Sequence, residues 1–420
     1  MSMPDRTAST LEDTFRREWP RLVAAAARIV GDLGQAEEIA QDVMVTALDR
    51  WPFGGIPDRP GAWLLTAARN RARNVVRDEA RAAARNRLAA IAEVAPPADM
   101  DGGGPIGDDR LRLVFACCHP LLKRDAQVAL TLRLVGGLSI PEIARAFLVP
   151  EATLTQRVVR AKRVLANAQV RFAVPDRQDW GERLPAILAV VYLIFNEGYE
   201  ATSGPELGRP VLCEEARRLA VLLVEMLPDQ PEVHGLAALV ELSAARLAAR
   251  VDGSGDMVVL EDQDRSRWDR QAIANGRAAI ERALRAGAPG PMTLQAMIAA
   301  CHAGAGAWES TDWHAIGALY DQLYSVSPSP VVGLNRALAI SMNSSPETAL
   351  ALVDDFISGD LASYPLAWAT RADMLWRLGR HQDSAADYRR AAALTGNGTE
   401  RRFLTRRAER CEGSTDQEVG

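Results

Sequence analysis

Between Thr153 and Arg163 the chain places Thr153, Gln156, Arg157, Arg160 and Arg163 at spacings of three and four or side by side, and Leu154, Val158, Ala161 and Leu165 repeat with a similar period beside them. A helix with those two faces buries its aliphatic stripe and turns the polar one outward. Guanidinium forks fit guanine O6 and N7, a glutamine amide fits adenine, and spare positive charge fits phosphate. The outward stripe therefore has the chemistry of a helix lying in a DNA major groove. The residues just upstream supply a partner helix. In "LSIPEIARAFLVP", Ser139 and Glu142 form an S-x-x-E capping box, Pro141 fits a first turn, and a helix opens at Ile140. Leu148, Val149 and Pro150 form the turn, because the residue before a proline avoids the helical region. The second helix then starts near Glu151, with Pro150 offering no capping oxygen. Taken alone, such a helix-turn-helix is also what an ordinary helical hairpin looks like.

A second basic row comes earlier. In "RPGAWLLTAARNRARNVVRDEARAAARNR", Leu64, Ala67, Ala68 and Val75 share the buried face, and Arg69, Arg73, Arg77 and Arg81 recur every four residues beside Asn70 and Asn74. Arginines so spaced can track phosphates and the asparagines can meet base edges. A solvated surface reads the same way. Before it, "QAEEIAQDVMVTALDRW" puts Ala36, Ile39, Ala40, Val43 and Ala47 on one face and is expected to leave Glu37, Glu38, Gln41 and Asp42 facing out.

Catalytic chemistry has little to stand on. Cys117 and Cys118 adjoin His119, but Cys118 falls in register with Leu111, Val114 and Phe115, which reads as a core thiol. The five cysteines are in no metal-ligand spacing and fit reduced thiols. Glu197 has no partner carboxylate or metal ligand nearby in sequence. No enzyme activity, cofactor or metal is expected.

The elements that position these residues are helical. Alanine is abundant, aromatics make up 5% of the 420 residues, and runs alternating with period two are hard to find, so the fold class is all-α. Charge divides the chain. Residues 1–172 carry 25 Lys/Arg against 20 Asp/Glu, a balance of +5, and the rest carry 24 against 34, a balance of −10. Only Lys123 and Lys162 are lysines. "EVAPPADMDGGGPIGDD", rich in Pro, Gly and Asp, breaks every periodicity and reads as a linker. No apolar run reaches the roughly 18 residues of a membrane span, and the first residues lack the parts of a signal peptide. A cytoplasmic protein with no membrane partner is expected.

Beyond Phe172, "RLPAILAVVYLIFNEGY" is an apolar core helix broken by Asn196 and Gly198. "TLQAMIAACHAGAG", "VGLNRALAISMNSS" and "ATRADMLWRLGRHQDSAADYRRAAAL" recur at similar steps, with "VDGSGDMVVLEDQDRSRW" as a loop before them. Leu375, Gly379, Tyr388 and Ala391 in the last unit resemble a tetratricopeptide repeat. A solenoid of helical hairpins with a concave surface for proteins or peptides is the expected fold.

The order of these parts carries a family resemblance. An acidic "AEEIAQDV" helix, an "AWLLTAARNRARNVVR" helix, a linker, "DDRLRLVF" and a terminal helix-turn-helix resemble the extracytoplasmic-function (ECF) sigma factors of bacterial RNA polymerase, in the subgroup with a C-terminal tetratricopeptide-like extension. The resemblance implies sigma region 2 over 1–90, a flexible acidic linker over 91–108, region 4 over 109–172, the helical extension over 178–411 and a disordered tail over 412–420. It implies core polymerase and promoter DNA as partners, through the β′ clamp helices and the β subunit, and nucleoid association in the holoenzyme. Glu37, Glu38 and Asp42 then match the core-binding positions. Trp63, Arg69, Asn70, Arg73, Asn74 and Arg77 match the segment that captures the −10 element, and Thr153, Gln156, Arg157, Arg160 and Arg163 the helix that reads the −35 element. The linker aspartates either compete with nucleic acid for basic walls or serve as a plain tether. The extension implies control, through contact with the sigma regions or through a regulatory protein or peptide. A helix-turn-helix activator with a helical sensor domain, acting without being a polymerase subunit, is the alternative, and a scaffold a further one.

Overall fold

The computed structural model describes residues 18–87, 106–147, 149–170, 172–173, 175 and 180–418. They are almost wholly helical, as the composition implies, and divide into two compact units, one ending at Val191 and the other beginning at Tyr192.

In the first unit, helix α1 covers residues 18–30, α2 runs Leu33–Gly54 and α3 runs Pro60–Arg87. Asp32 starts α2 by accepting the Gln35 amide N–H at 2.8 Å, satisfying one of the donors a helix start leaves open. Helices α2 and α3 pack through Ala36, Ala40, Val43, Leu64, Ala68 and Ala72, all buried. Helix α4 runs Ile106–Cys117. The linker therefore ends earlier than its composition implies, and Asp109 is a buried helix residue paired with Arg112 at 2.6 Å and Arg28 at 3.8 Å. The rest of the linker lies outside the described residues.

Helix α5 (Arg124–Leu130) continues into a π turn over Thr131–Val135. Gly136 and Gly137 end it as expected, with Gly137 at φ +74, a value that favours glycine. The wide last turn keeps Leu132, Leu134 and Val135 fully buried. Helices α6 (Ile140–Phe147) and α7 (Glu151–Asn167) are the two arms of the helix-turn-helix. Leu148, in the turn, lies outside the described residues. The capping box is formed in both directions: the Ser139 N–H donates to Glu142 Oε2 at 2.7 Å and the Glu142 N–H donates to Ser139 Oγ at 3.3 Å. Ser139→Ala is expected to cost about 1 kcal/mol, read as a lower urea midpoint.

Helix α8 (Trp180–Tyr199) extends the first unit past Phe172. Trp180 lies 5.9 Å from Phe115, the Arg183 guanidinium donates to the Phe115 carbonyl at 3.0 Å, and Arg124 donates to the Ala186 carbonyl at 3.0 Å. Asn196 and Gly198 do not break the helix. Gly198 is small because α9 (Pro210–Met226) passes so close that a Cβ would sit 2.6 Å from the Cys213 nitrogen. Among the described residues, no helix is long and apolar enough to cross a membrane.

The second unit continues through α10 (Pro231–Ala244), α11 (Arg270–Ala286), α12 (Pro291–Gly304), α13 (Trp313–Val326), α14 (Pro330–Asn343), α15 (Pro346–Ser358), α16 (Pro365–Arg377), α17 (His381–Leu394) and α18 (Gly398–Glu418). Proline opens α9, α10, α12, α14, α15 and α16, where its missing N–H costs nothing and its fixed φ suits a first turn. Each helix from α9 to α18 packs on the next. In the hairpin of α16 and α17, Leu375, Tyr388 and Ala391 are buried and Gly379 turns the chain at φ +72. The Glu232 carboxylate on α10 caps α12 from outside, accepting the Gly290, Met292 and Thr293 N–H groups at 2.7–3.1 Å. Residues 251–268 form a loop, as expected, and its Asp256 pairs with Arg402 at 3.4 Å and Arg406 at 2.5 Å on α18.

The hairpin array is also tied end to end, a feature that the expectation of a solenoid did not include. Strand β1 (Ser203–Gly204) pairs in parallel with β2 (Gly396–Asn397). The buried Asn397 amide donates to the carbonyls of Ala201 at 2.9 Å, Glu206 at 2.8 Å and Leu207 at 3.4 Å, and its Oδ1 accepts the N–H groups of Thr399 and Glu400 at 3.0 Å. The path from β1 through α9–α17 to β2 is thus joined at its two ends into a ring. Helix α18 also runs to Glu418, so most of the segment expected as a tail is helical, and Arg389 forms an ion pair with Glu412.

Candidate nucleic-acid interface

On α7 the two expected faces are both present. Leu154, Val158, Ala161 and Leu165 are buried, whereas Thr153, Gln156, Arg160 and Arg163 are exposed. Arg157 is half-buried and reaches Asp125 of α5 at 4.0 Å. Pro150 begins the helix with no side-chain cap, and Glu151 in the first turn favours the helix dipole instead. The exposed face carries amide, hydroxyl and guanidinium donors on a rigid two-helix support, as base-edge readout needs.

On α3, Asn70, Arg73, Asn74 and Arg77 are exposed and Arg69 is half-buried. Arg77 donates to the Asn74 side chain at 3.3 Å. Trp63 is half-buried, its ring edge-on to Trp51 at 5.6 Å, which makes it partly a packing residue. A more available aromatic lies nearby at the end of α2, where Phe53 is 93% exposed. Sequence reasoning passed over it. Its signal was an aromatic among Pro and Gly in "RWPFGGIPDRP", outside any apolar stripe.

The acidic face of α2 is not arranged as expected. Glu38, Gln41 and Asp42 are exposed, and Asp42 pairs with Arg71 at 3.1 Å. Glu37 is instead buried. Its Oε1 accepts from Arg133 Nε at 2.5 Å and its Oε2 from Lys162 Nζ at 2.8 Å. Arg133 stands on the π turn, with its guanidinium 5.1 Å from the Trp19 ring centre and a second N–H on the Leu138 carbonyl at 3.0 Å. Trp19 Nε1 in turn donates to the Arg133 carbonyl at 3.0 Å. One carboxylate thus ties α2, the π turn and α7, and Arg133 carries the tie on to Trp19 of α1. The physical reason is that Glu37 lies between Leu33, Ala40 and Met44 on the buried stripe, so it enters the core and needs the cations that meet it there.

The thiols behave as core groups. Cys117 and Cys118 are buried, and burial pushes the Cys118 thiol up to about 11, which leaves it inert at neutral pH. Glu197 pairs with Arg209 and accepts from the Thr202 hydroxyl at 2.6 Å, so it fastens the turn after α8.

A protein with an exposed helix-turn-helix readout face and a second exposed Arg/Asn helix, joined to a separate helical unit, belongs to the class of multi-domain transcription proteins. Comparison narrows the class. Residues 14–82 match the Sigma-70 region 2 model, 112–165 match Sigma-70 region 4, and 183–284 match a family of unknown function, DUF6596. An uncharacterized protein of Rhizobium meliloti is 42% identical over 389 residues, covering 92% of each chain. The ECF RNA polymerase sigma factor SigK of Mycobacterium ulcerans is 30% identical over 151 residues, 35% of this chain and 79% of that one. SigK of Mycobacterium sp. (strain KMS) is 30% identical over 169 residues, 39% of this chain and 84% of that one. The chain belongs to the ECF RNA polymerase sigma factors and carries a helical C-terminal extension.

Proposed function

We propose that the chain binds core RNA polymerase through the acidic surface of α2 and directs it to promoters that α3 and α7 recognise, under the control of its fused helical unit. The exposed polar face of α7 is the observation that carries this reading. Thr153, Gln156, Arg157, Arg160 and Arg163 read the −35 element, and Arg69, Asn70, Arg73, Asn74 and Arg77 hold the −10 strand. Trp63 and the exposed Phe53 offer rings on which an unstacked base can rest. Glu38 and Asp42 face the β′ clamp helices, region 4 meets the β subunit, and the site of action is the cytoplasm, at the nucleoid in the holoenzyme.

Gln156→Ala and Arg160→Ala are each expected to cost about 1–3 kcal/mol at the matched −35 sequence and little at a scrambled one, measured by transcript yield against promoter concentration. A gel shift with and without core enzyme separates this reading from a free-standing activator. The account predicts a promoter complex only when core is present, and an equally strong complex without core favours the activator.

The Glu37 tie supports a closed state. Two elements about 25 base pairs apart are separated by on the order of 85 Å of B-form DNA at about 3.4 Å per pair. Helix α2 nevertheless packs on both α3 and α7, which supports a form with the two helices closer together than that. The form with Glu37 paired must therefore open before both elements are held, and the fused unit acts on that equilibrium. A chain shortened after Tyr199 keeps α8 on α4, and its transcript yield is expected to differ from that of the full chain. Equal yields under all conditions speak against control.

A further inference from the structure

The second unit holds a cavity of about 310 Å³, open on one side. Its floor is apolar, with Ile316, Ala339 and Leu404 buried, and its mouth is marked by the exposed Glu261, Asn335 and Leu366. The 251–268 loop covers part of it through Met257, Val259 and Leu260. That loop pairs with α18 through Asp256, and Asn397 joins the two ends of the ring, so both contacts link distant parts of the chain.

The lining sorts by chemistry. Trp313 is met edge-on by His302 at 5.3 Å and by Trp308 at 4.9 Å, giving an aromatic wall. His302 Nδ1 is buried without a hydrogen-bond partner, and burial beside Arg246 and Arg265 brings the imidazole down to about 4, so it is neutral at pH 7. The lining also includes Asp373, whose one carboxylate is shared by two guanidinium groups, Arg377 at 2.9 Å and Arg407 at 3.3 Å. Arg407 donates again to the Tyr388 hydroxyl at 2.8 Å. Within this triad one positive charge is in excess, and Glu261 at the mouth and Glu400, which accepts from the Thr395 hydroxyl, also line the cavity.

The volume and the lining both fit a small molecule. Small-molecule pockets begin at roughly 300 Å³ and combine apolar walls with a few placed polar groups.

We propose that this cavity binds a small amphipathic molecule with a flat apolar body and one anionic group, the body against Trp308 and Trp313 and the anion on Arg377 and Arg407. Binding makes the second unit a chemical sensor. That consequence, though not the binding itself, rests on the reading of the unit as a control domain.

The test uses the full chain and two probes, 1-anilinonaphthalene-8-sulfonate, which is flat and anionic, and neutral N-phenyl-1-naphthylamine. Both are expected to bind one per chain with energy transfer from tryptophan. Leu338→Trp, and independently Ala369→Leu, narrow the cavity and are expected to abolish binding of both probes at an unchanged thermal midpoint. Arg407→Gln is expected to weaken the sulfonate about tenfold and to leave the neutral probe unaffected. No binding by either probe, or binding that persists in whichever narrowing variant keeps the native midpoint, overturns the site. Equal loss of both probes in Arg407→Gln overturns the anion assignment. A run-off reaction with bound probe and unchanged yield leaves the site standing and counts against the control reading alone.

Discussion

Replacing Glu37 by alanine is expected to lower the stability of the N-terminal unit by about 3 kcal/mol, because it leaves two cations facing a gap in the core without their carboxylate. Glu37, Arg133 and Lys162 have side-chain exposures of 7%, 13% and 20%, so water recovers little of the lost interaction. Urea denaturation reads the loss directly. The functional outcome is more informative in Lys162→Met, which frees α7 while Arg133 keeps its hydrogen bond to Glu37 Oε1. The closed-state reading predicts a higher yield of promoter complex with core enzyme for this variant, with a smaller loss of stability than Glu37→Ala. If Glu37 instead served mainly as a polymerase contact, Lys162→Met would leave that yield unchanged and Glu37→Ala would reduce core binding. The two substitutions thus separate a tie within the protein from a contact with its partner.

The second large effect belongs to Asn397. Its two side-chain N–H groups are shared among three carbonyls of residues 201–207 and its Oδ1 accepts two amides in the first turn of α18, in a position 1% exposed. Asn397→Ala leaves the buried Ala201 carbonyl and the Thr399 and Glu400 N–H groups without their side-chain partner and is expected to cost about 3 kcal/mol. The loss should come with faster hydrogen exchange at both β1 and β2 and with loss of probe binding in the cavity, because the ring no longer closes. Local exchange at β2 alone, with the cavity still competent, would mean that packing of consecutive hairpins holds the ring without the tie.

The helix-turn-helix was legible because each of its parts is local: a capping box four residues long, a proline turn, and a stripe whose period is that of one helix. The same holds for the loop at 251–268 and for the hairpin of α16 and α17. Glu37 was not legible by the same means. A helical wheel sets it beside Glu38, and both look like surface acids; the difference is that Leu33, Ala40 and Met44 flank Glu37 on the buried side, and the cations that meet it lie 96 and 125 residues away. One of them is among the chain's only two lysines, a weak signal without a fold to place it. The closed ring was hidden for a related reason. Hairpin repeats imply stacking of neighbours, and nothing periodic marks Asn397 as the partner of a turn about 190 residues earlier. The run through Asn196 and Gly198 misled because glycine there serves close packing against Cys213 and not a break.

Run-off transcription with purified core RNA polymerase, on the DNA upstream of the chain's own gene, tests the central claim most directly. The account predicts a discrete transcript that requires the added protein and falls sharply with Gln156→Ala and Arg160→Ala. A transcript independent of the protein, or one that those two substitutions leave unchanged, would contradict it.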